Sequence, residues 1–385
     1  MILAAVWLLY AAFGLGMSSI PPVVTPMLAD LNMSYGEMGF ILGTWQLVYI
    51  PVAIFAGVAM DRWGIRRSLF AGGLIMALSV GLRYFATGFA TLLPMVALFG
   101  IGAPLISVGA PKTVSEWFSG SNRAIAVGIY TTAPGLGGLF ALAATNSVVM
   151  PLTDYSWRLT FLSYSLLVLI IAFVWGAFAR DVGKGEDPVD TNLKDSFIKL
   201  MKIHNVRIVV LAGLMVLFIN HGFSHWLPKL LESKSFTPEI AGFMASIPLL
   251  ASIPCVLFIP RLVKKDLRRR VIGVLACLAA VALLVVVNSS SSTVTIIGLV
   301  LYGIVTPVLV PILMLLIMDD PEVDPESMGL AGGTFFSVAE IGGFTGPLMM
   351  GVTVDLTNSF LPGISVLAGV AIAMCALTFF LRKTD

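Results

Sequence analysis

Glu340 is the one ionisable side chain in the apolar run 328–353. A charge at mid-bilayer depth costs at least about 2.5–3.5 kcal/mol on insertion scales, so a carboxyl group there needs a reason to exist. Two roles fit it: taking up and releasing a proton or cation, or sitting protonated against a backbone carbonyl and locking a helix contact. Asn220, His221 and His225 form a second polar cluster, with His221 and His225 four residues apart and therefore on one helix face. That spacing suits a metal pair, but no third ligand is apparent and no metal is assigned. His221 is placed to hydrogen-bond a solute or relay a proton, with a purely structural role as the alternative, and His225 falls nearer the surface. Arg83 is permanently charged and could attract an anion, or could equally reach the interface or pair within its own bundle. Tyr10, Trp45, Gln46, Tyr49, Tyr130 and Tyr302 carry polar tips on apolar bodies. They suit a wall that hydrogen-bonds a small polar solute, and they suit ordinary packing as well. Lys112 and Glu116, four residues apart, read as members of an ion-pair cluster at a helix end rather than as solute contacts.

The elements that must position these residues are set by composition. Of the 385 residues 58% are hydrophobic and only 11% charged, against roughly 25% charged in a soluble domain, which excludes an ordinary globular protein. The charges cluster between long apolar runs, and a run of about 18 or more apolar residues reads as a transmembrane helix because hydrocarbon forces the backbone to bond within itself. Twelve helices are predicted near 2–29, 38–60, 68–87, 91–114, 124–149, 159–179, 208–228, 239–262, 271–288, 293–318, 328–353 and 361–381. The first run has no basic leader and exceeds a signal-peptide core, so it is expected to remain as a membrane helix. On this register Glu340 lies roughly 18 Å into a span of about 30 Å. The polar stretch 180–207, with Lys184, Glu186, Asp187, Asp190, Lys194, Asp195, Lys199 and Lys202, divides the chain into six helices plus six. It is expected to be a solvated linker carrying an interfacial helix near 193–203. The predicted domains are therefore bundles at 1–179 and 208–385 joined by that linker.

Loop charge sets the orientation. With a cytoplasmic N-terminus, 19 of the 23 Lys and Arg residues fall on the inner side, leaving Arg83, Arg158, Lys229 and Lys234 outside. Both termini are expected in the cytoplasm of a cell whose inner membrane holds the protein. The loop 319–326 dissents, being purely acidic. The two halves also repeat. Gly39, Phe40, Ile50, Pro51, Arg66 and Arg67 recur 203 residues on as Gly242, Phe243, Ile253, Pro254, Arg269 and Arg270, and Gly128, Gly137 and Gly138 recur 205 residues on as Gly333, Gly342 and Gly343. Duplicated bundles with a site at their seam are a transporter architecture.

Gly57, Asp61, Arg62, Gly64, Arg66 and Arg67 stand in the order G-x-x-x-D-R-x-G-x-R-R between the second and third helices. This resembles the loop signature of the Major Facilitator Superfamily. The resemblance implies that Asp61 braces a cytoplasmic gate, with Arg62, Arg66, Arg67, Lys112 and Glu116 in the same charge network. The second copy departs from the pattern, with Lys264 at the Asp61 position. Gly128, Pro134, Gly135, Gly137 and Gly138 are similar to part of the superfamily's antiporter signature, although close helix approach explains them equally. An Arg that many proton-coupled members carry in helix 4 is replaced by Val96. Segments around Pro111 to Phe118, Trp226 to Lys234 and Glu340 to Pro347 resemble the cyanate-permease and nitrate/nitrite-porter-like groups, which implies a small anionic or polar solute.

The chain has no P-loop, HExxH or GxSxG motif, so neither catalysis nor direct use of ATP is expected, and no cofactor is assigned. The reading is a monomeric twelve-helix secondary transporter in membrane lipid, binding a small-molecule solute and no nucleic acid. It would import an organic or inorganic anion by alternating access with a proton as coupling ion. The alternatives are proton-driven efflux of lipophilic compounds and a non-transporting membrane sensor of the same fold.

Overall fold

A computed structural model describes residues 1–180, 193–324 and 327–382. Lys184, Glu186, Asp187, Asp190, Glu326 and Lys383 lie outside the described residues. Among these residues every regular element is helical, and eleven helices are long and apolar enough to cross a membrane. They are α1 (Ile2–Leu31), α3 (Ile65–Phe85), α4 (Phe89–Trp117), α5 (Gly120–Leu152), α6 (Trp157–Phe178), α7 (His204–Ser233), α8 (Pro238–Leu262), α9 (Lys265–Asn288), α10 (Ser292–Met318), α11 (Met328–Thr357) and α12 (Leu361–Thr378). The twelfth, α2 (Tyr35–Trp63), is bent by 61° between Tyr35–Ala53 and Phe55–Trp63 and carries Pro51 beside the bend. A proline removes one helix hydrogen bond and pushes its ring against the preceding turn, which accounts for a kink at this point. The expected linker helix is present as Leu193–Lys202.

Local chemistry marks the ends. Ser34 and Glu37 form a reciprocal capping box at the start of α2, with Glu37 N–H donating to Ser34 Oγ at 3.1 Å and Ser34 N–H to Glu37 Oε2 at 2.9 Å. Gly64 turns the chain from α2 into α3 at φ 81°, where a side chain would be strained, which explains the glycine of the D-R-x-G signature.

Packing divides the chain into two compact units, Met1–Glu186 with His225–Leu249, and Asp187–Ser224 with Leu250–Asp385. In the first, α2 packs on α4, α3 lies against α4 and α6, and α1 runs along α5. The end of α7 and the first half of α8 belong to this unit. Asn146, in a π-turn of α5, donates to Pro22 O at 2.9 Å and to Pro238 O at 3.2 Å. In the second unit α9 is flanked by α10 and α12, around a core that includes Val209, Val216, Ile272, Leu309, Ile312, Phe335 and Met374.

The repeat is visible in the contacts inside each unit. A Cβ on Gly137 would collide with Ala11 O and come 2.9 Å from Leu15 N, and a Cβ on Gly342 would collide with Leu214 O and come 2.9 Å from Phe218 N. These are the same contacts moved by the two sequence offsets. Small residues let α5 ride on the backbone of α1, and α11 on that of α7.

Candidate functional site

Two groups of side chains stand out, one in each unit. In the second unit, the close approach of α11 to α7 at Gly342 and Gly346 brings Glu340 and His221 both to the side of Gly343. The point where a Cβ of Gly343 would sit is 2.6 Å from Glu340 Oε2 and 2.8 Å from His221 Nδ1. Only the missing side chain of Gly343 allows both groups to occupy that space. Glu340 Oε2 is buried and has no hydrogen-bond partner among the described residues. A buried acceptor left without a partner costs free energy, so this oxygen does not itself strengthen the helix contact. The reading of Glu340 as a packing lock through a backbone carbonyl receives no support from this oxygen. Asn220 is on the same helix as His221 and accepts from Ser224 Oγ at 3.4 Å. Tyr302 is 2% exposed, its ring centre 4.5 Å from that of Phe223, with its hydroxyl aimed at Ile219 O at 3.5 Å.

The same repeat shows what is special here. Ser18 is the counterpart of His221 and Gly135 that of Glu340, by the offsets of 203 and 205. A Cβ on Gly138 would lie 2.9 Å from Ser18 Oγ, as one on Gly343 would from the imidazole. One scaffold contact occurs twice, and only the second copy carries titratable groups.

The first unit holds an aromatic wall from four helices. Tyr10 lies 5.6 Å from Phe13 and 6.1 Å from Tyr130, and Phe13 contacts Trp45 at 6.1 Å and Phe99 at 5.9 Å. Trp45 continues to Tyr49 at 6.1 Å, whose hydroxyl is 2.9 Å from Ser107 Oγ. Gln46 is buried next to Trp45. Arg83 sits behind this wall rather than at an interface. It is 1% exposed, donates to Ser19 Oγ at 2.9 Å, and lies between the rings of Phe99 and Phe161 with Cζ 6.0 and 5.2 Å from their centres. His225, expected toward the surface, is also buried.

At the basic ends of the helices the loop signature has a definite geometry. Asp61 on α2 forms an ion pair with Lys112 on α4. Arg62 ends α2 where a cation suits the helix dipole. Arg66 donates through Nε and Nη2 to Gly176 O at 3.0 and 2.6 Å, while Arg67 is exposed. Gly57 has nothing within 4 Å of a notional Cβ. Glu116 is half-buried near the end of α4. In the second unit the polarity of the pair is reversed, since Arg268 and Lys265 on α9 hold Asp319 at the end of α10. This gives the acidic residue at the start of the dissenting loop its basic partners. Asp320 there accepts from Asn205 Nδ2 at 2.9 Å, and Asp324 meets Lys199 at 3.1 Å. Burial raises the Asp319 carboxyl, but the hydrogen bonds and charges of Arg268 and Lys265 outweigh it and hold it below the usual carboxylate range.

A polar cluster that the sequence did not mark as a site lies at the other end of the first unit. Thr25 accepts from Lys229 Nζ at 2.8 Å and donates to Glu232, which is 3.8 Å from Lys229. The spacing of Lys229 and Glu232 at the end of α7 is its only visible signal in the chain.

The sequence profile of the Major Facilitator Superfamily matches residues 6–347. The hexuronate transporter of Bacillus subtilis (strain 168) is 26% identical over 381 residues, covering 92% of this chain and 87% of its own. The probable galactarate/D-glucarate transporter GudP of the same organism is 23% identical, covering 86% and 80%. A crystal structure of the nucleoside transporter NupG, in a mutant form, superposes with a TM-score of 0.83 at 14% identity, over 99% of this chain and 100% of that one. The two Bacillus relatives are carriers of sugar acids, which corrects the likeness to cyanate and nitrate porters. The segments behind that likeness contain Pro111, Pro228 and Pro347, each inside a long helix, where a proline shapes the helix whatever the solute.

Proposed function

Because the chain belongs to the Major Facilitator Superfamily and is a multi-pass membrane transporter of that type, we propose that its solute is a sugar acid and that a proton drives its import. The monocarboxylate and dicarboxylate sugars carried by its relatives combine an anionic end with a row of hydroxyls. Tyr10, Tyr49, Tyr130 and Gln46 offer hydrogen-bonding tips set among rings, the mixed character that such a solute needs. The observation that carries the coupling half of the proposal is the juxtaposition of Glu340 and His221 around Gly343. A carboxyl group and an imidazole in a dry helix contact can hold and pass on one proton. Asp61 with Lys112, and Asp319 with Arg268 and Lys265, serve as breakable ties during alternating access. The loop charges favour a cytoplasmic position for both termini, the short loops suit a prokaryotic inner-membrane protein, and the carrier is taken to act as a monomer.

The experiment is uptake of radiolabelled D-glucuronate into proteoliposomes with an imposed inward proton gradient. The wild-type protein should accumulate the label, and E340Q should lose gradient-driven accumulation while still exchanging labelled for unlabelled solute. Failure to move any sugar acid would reject the substrate class. An unchanged response of E340Q to the gradient would reject the coupling role.

A further inference from the structure

The duplicated Arg pair of the loop signature divides its labour between its two members. In the first unit Arg66 is tied to the end of α6 through Gly176 O. In the second, Arg269 is tied to the end of α12, donating to Leu381 O at 3.0 Å and Phe379 O at 2.9 Å. In both cases the next residue, Arg67 or Arg270, is exposed and has no hydrogen bond or ion pair among the described residues. Each of these arginines borders a crevice. The first, of about 480 Å³, is lined by Arg66, Arg67, Phe70, Phe173, Gly176 and Ala177. The second, of about 450 Å³, gathers Lys265, Arg269, Arg270 and Arg382 around a single acid, Asp266, with Phe379 among its apolar lining. Phe173 and Phe379 are both largely exposed, at 57% and 71%.

We infer that the two crevices are a repeated pair of sites for the headgroup of an anionic phospholipid. The chemistry is a phosphate on the second arginine of each pair, with the acyl chains against the exposed phenylalanine. A basic crevice between helix ends attracts anionic headgroups, and a planar guanidinium matches two phosphate oxygens at once. The apolar half of the lining favours a lipid over free phosphate, which would leave Phe70, Phe173 and Phe379 uncovered. The first arginine of each pair is already satisfied by carbonyls and serves to hold the helix ends, and so to shape the crevice. This inference uses the membrane reading of the chain and not the identity of its solute.

Native mass spectrometry of the purified full-length protein tests it, with phosphatidylglycerol and phosphatidylcholine of equal acyl chains offered together. The wild type should retain two phosphatidylglycerol molecules in preference to phosphatidylcholine. R67Q and R270Q should each retain one, and R67Q/R270Q none above the phosphatidylcholine level. R67K/R270K, which keeps the charge, should retain part of the preference. Inorganic phosphate at millimolar concentration should leave the adducts in place. Equal retention of the two lipids by the wild type, unchanged adducts in a folded double variant, or displacement by inorganic phosphate would each overturn the inference. No transport measurement enters, so a failed solute assignment and a failed lipid site give separate signals.

Discussion

At the scale of single residues, Gly342 and Gly343 make a sharp contrast. They are neighbours on α11, and alanine adds the same methyl group at each, yet the obstacles differ in kind. At position 342 the new Cβ meets a backbone carbonyl, Leu214 O, which is held by its helix. At position 343 it meets the tips of two side chains, Glu340 Oε2 at 2.6 Å and His221 Nδ1 at 2.8 Å, which can swing away. G342A should therefore lower stability by about 1–3 kcal/mol, the usual cost of overpacking, and show a reduced melting temperature in detergent. G343A should melt close to the wild type but lose gradient-driven uptake, because the carboxyl and imidazole are driven apart. If G343A transported normally with a normal melting temperature, the pair would have no part in coupling.

At the scale of elements, the two ends of α9 and α10 are joined by Asp319. Its carboxyl is held below the usual range, so its folded form stays ionised to a lower pH than its unfolded form. The linkage then runs one way: this tie stabilises the protein above the unfolded value of about 3.9 and is lost as pH falls through the depressed folded value. D319N leaves Arg268, which is 8% exposed, without its carboxylate partner. We expect a loss of about 1.5–3 kcal/mol at neutral pH, the range for hydrogen bonds to charged groups, read by thermal melting. The difference between wild type and variant should shrink as the pH drops below about 4, where the carboxyl of the unfolded chain is already protonated. A difference that persisted at acid pH would mean the residue acts through packing instead.

At the scale of the whole molecule, the proposed membrane orientation rests on counting loop charges, and it can be checked directly. In a background lacking Cys255, Cys277 and Cys375, single cysteines at Ser119 and Lys264 should react with a membrane-impermeant maleimide only after the cells are opened. Cysteines at Ser235 and Ser290 should react in intact cells. The opposite pattern would invert the topology and with it the placement of every basic loop. In the acidic loop, Asp319, Asp320 and Asp324 meet Arg268 and Lys265, Asn205 and Lys199 respectively.

The sequence by itself determined the class of the molecule: a helical membrane protein with a duplicated half and the loop signature around Asp61. Hydrocarbon leaves the backbone no partner but itself, so length and composition alone suffice to find each span, and the α2 bend falls beside the one proline in that helix. The tertiary structure alone decided which side chains meet. Glu340 and His221, which both border Gly343, are 119 positions apart, Lys112 took Asp61 as its partner, and Arg83 proved to lie behind the aromatic wall with Ser19. The physical reason is that helices apolar on nearly every face carry no stripe to mark their inward side. Their rotation and crossing are set instead by where small residues allow backbones to touch, as Gly137 does on Ala11 and Gly342 on Leu214.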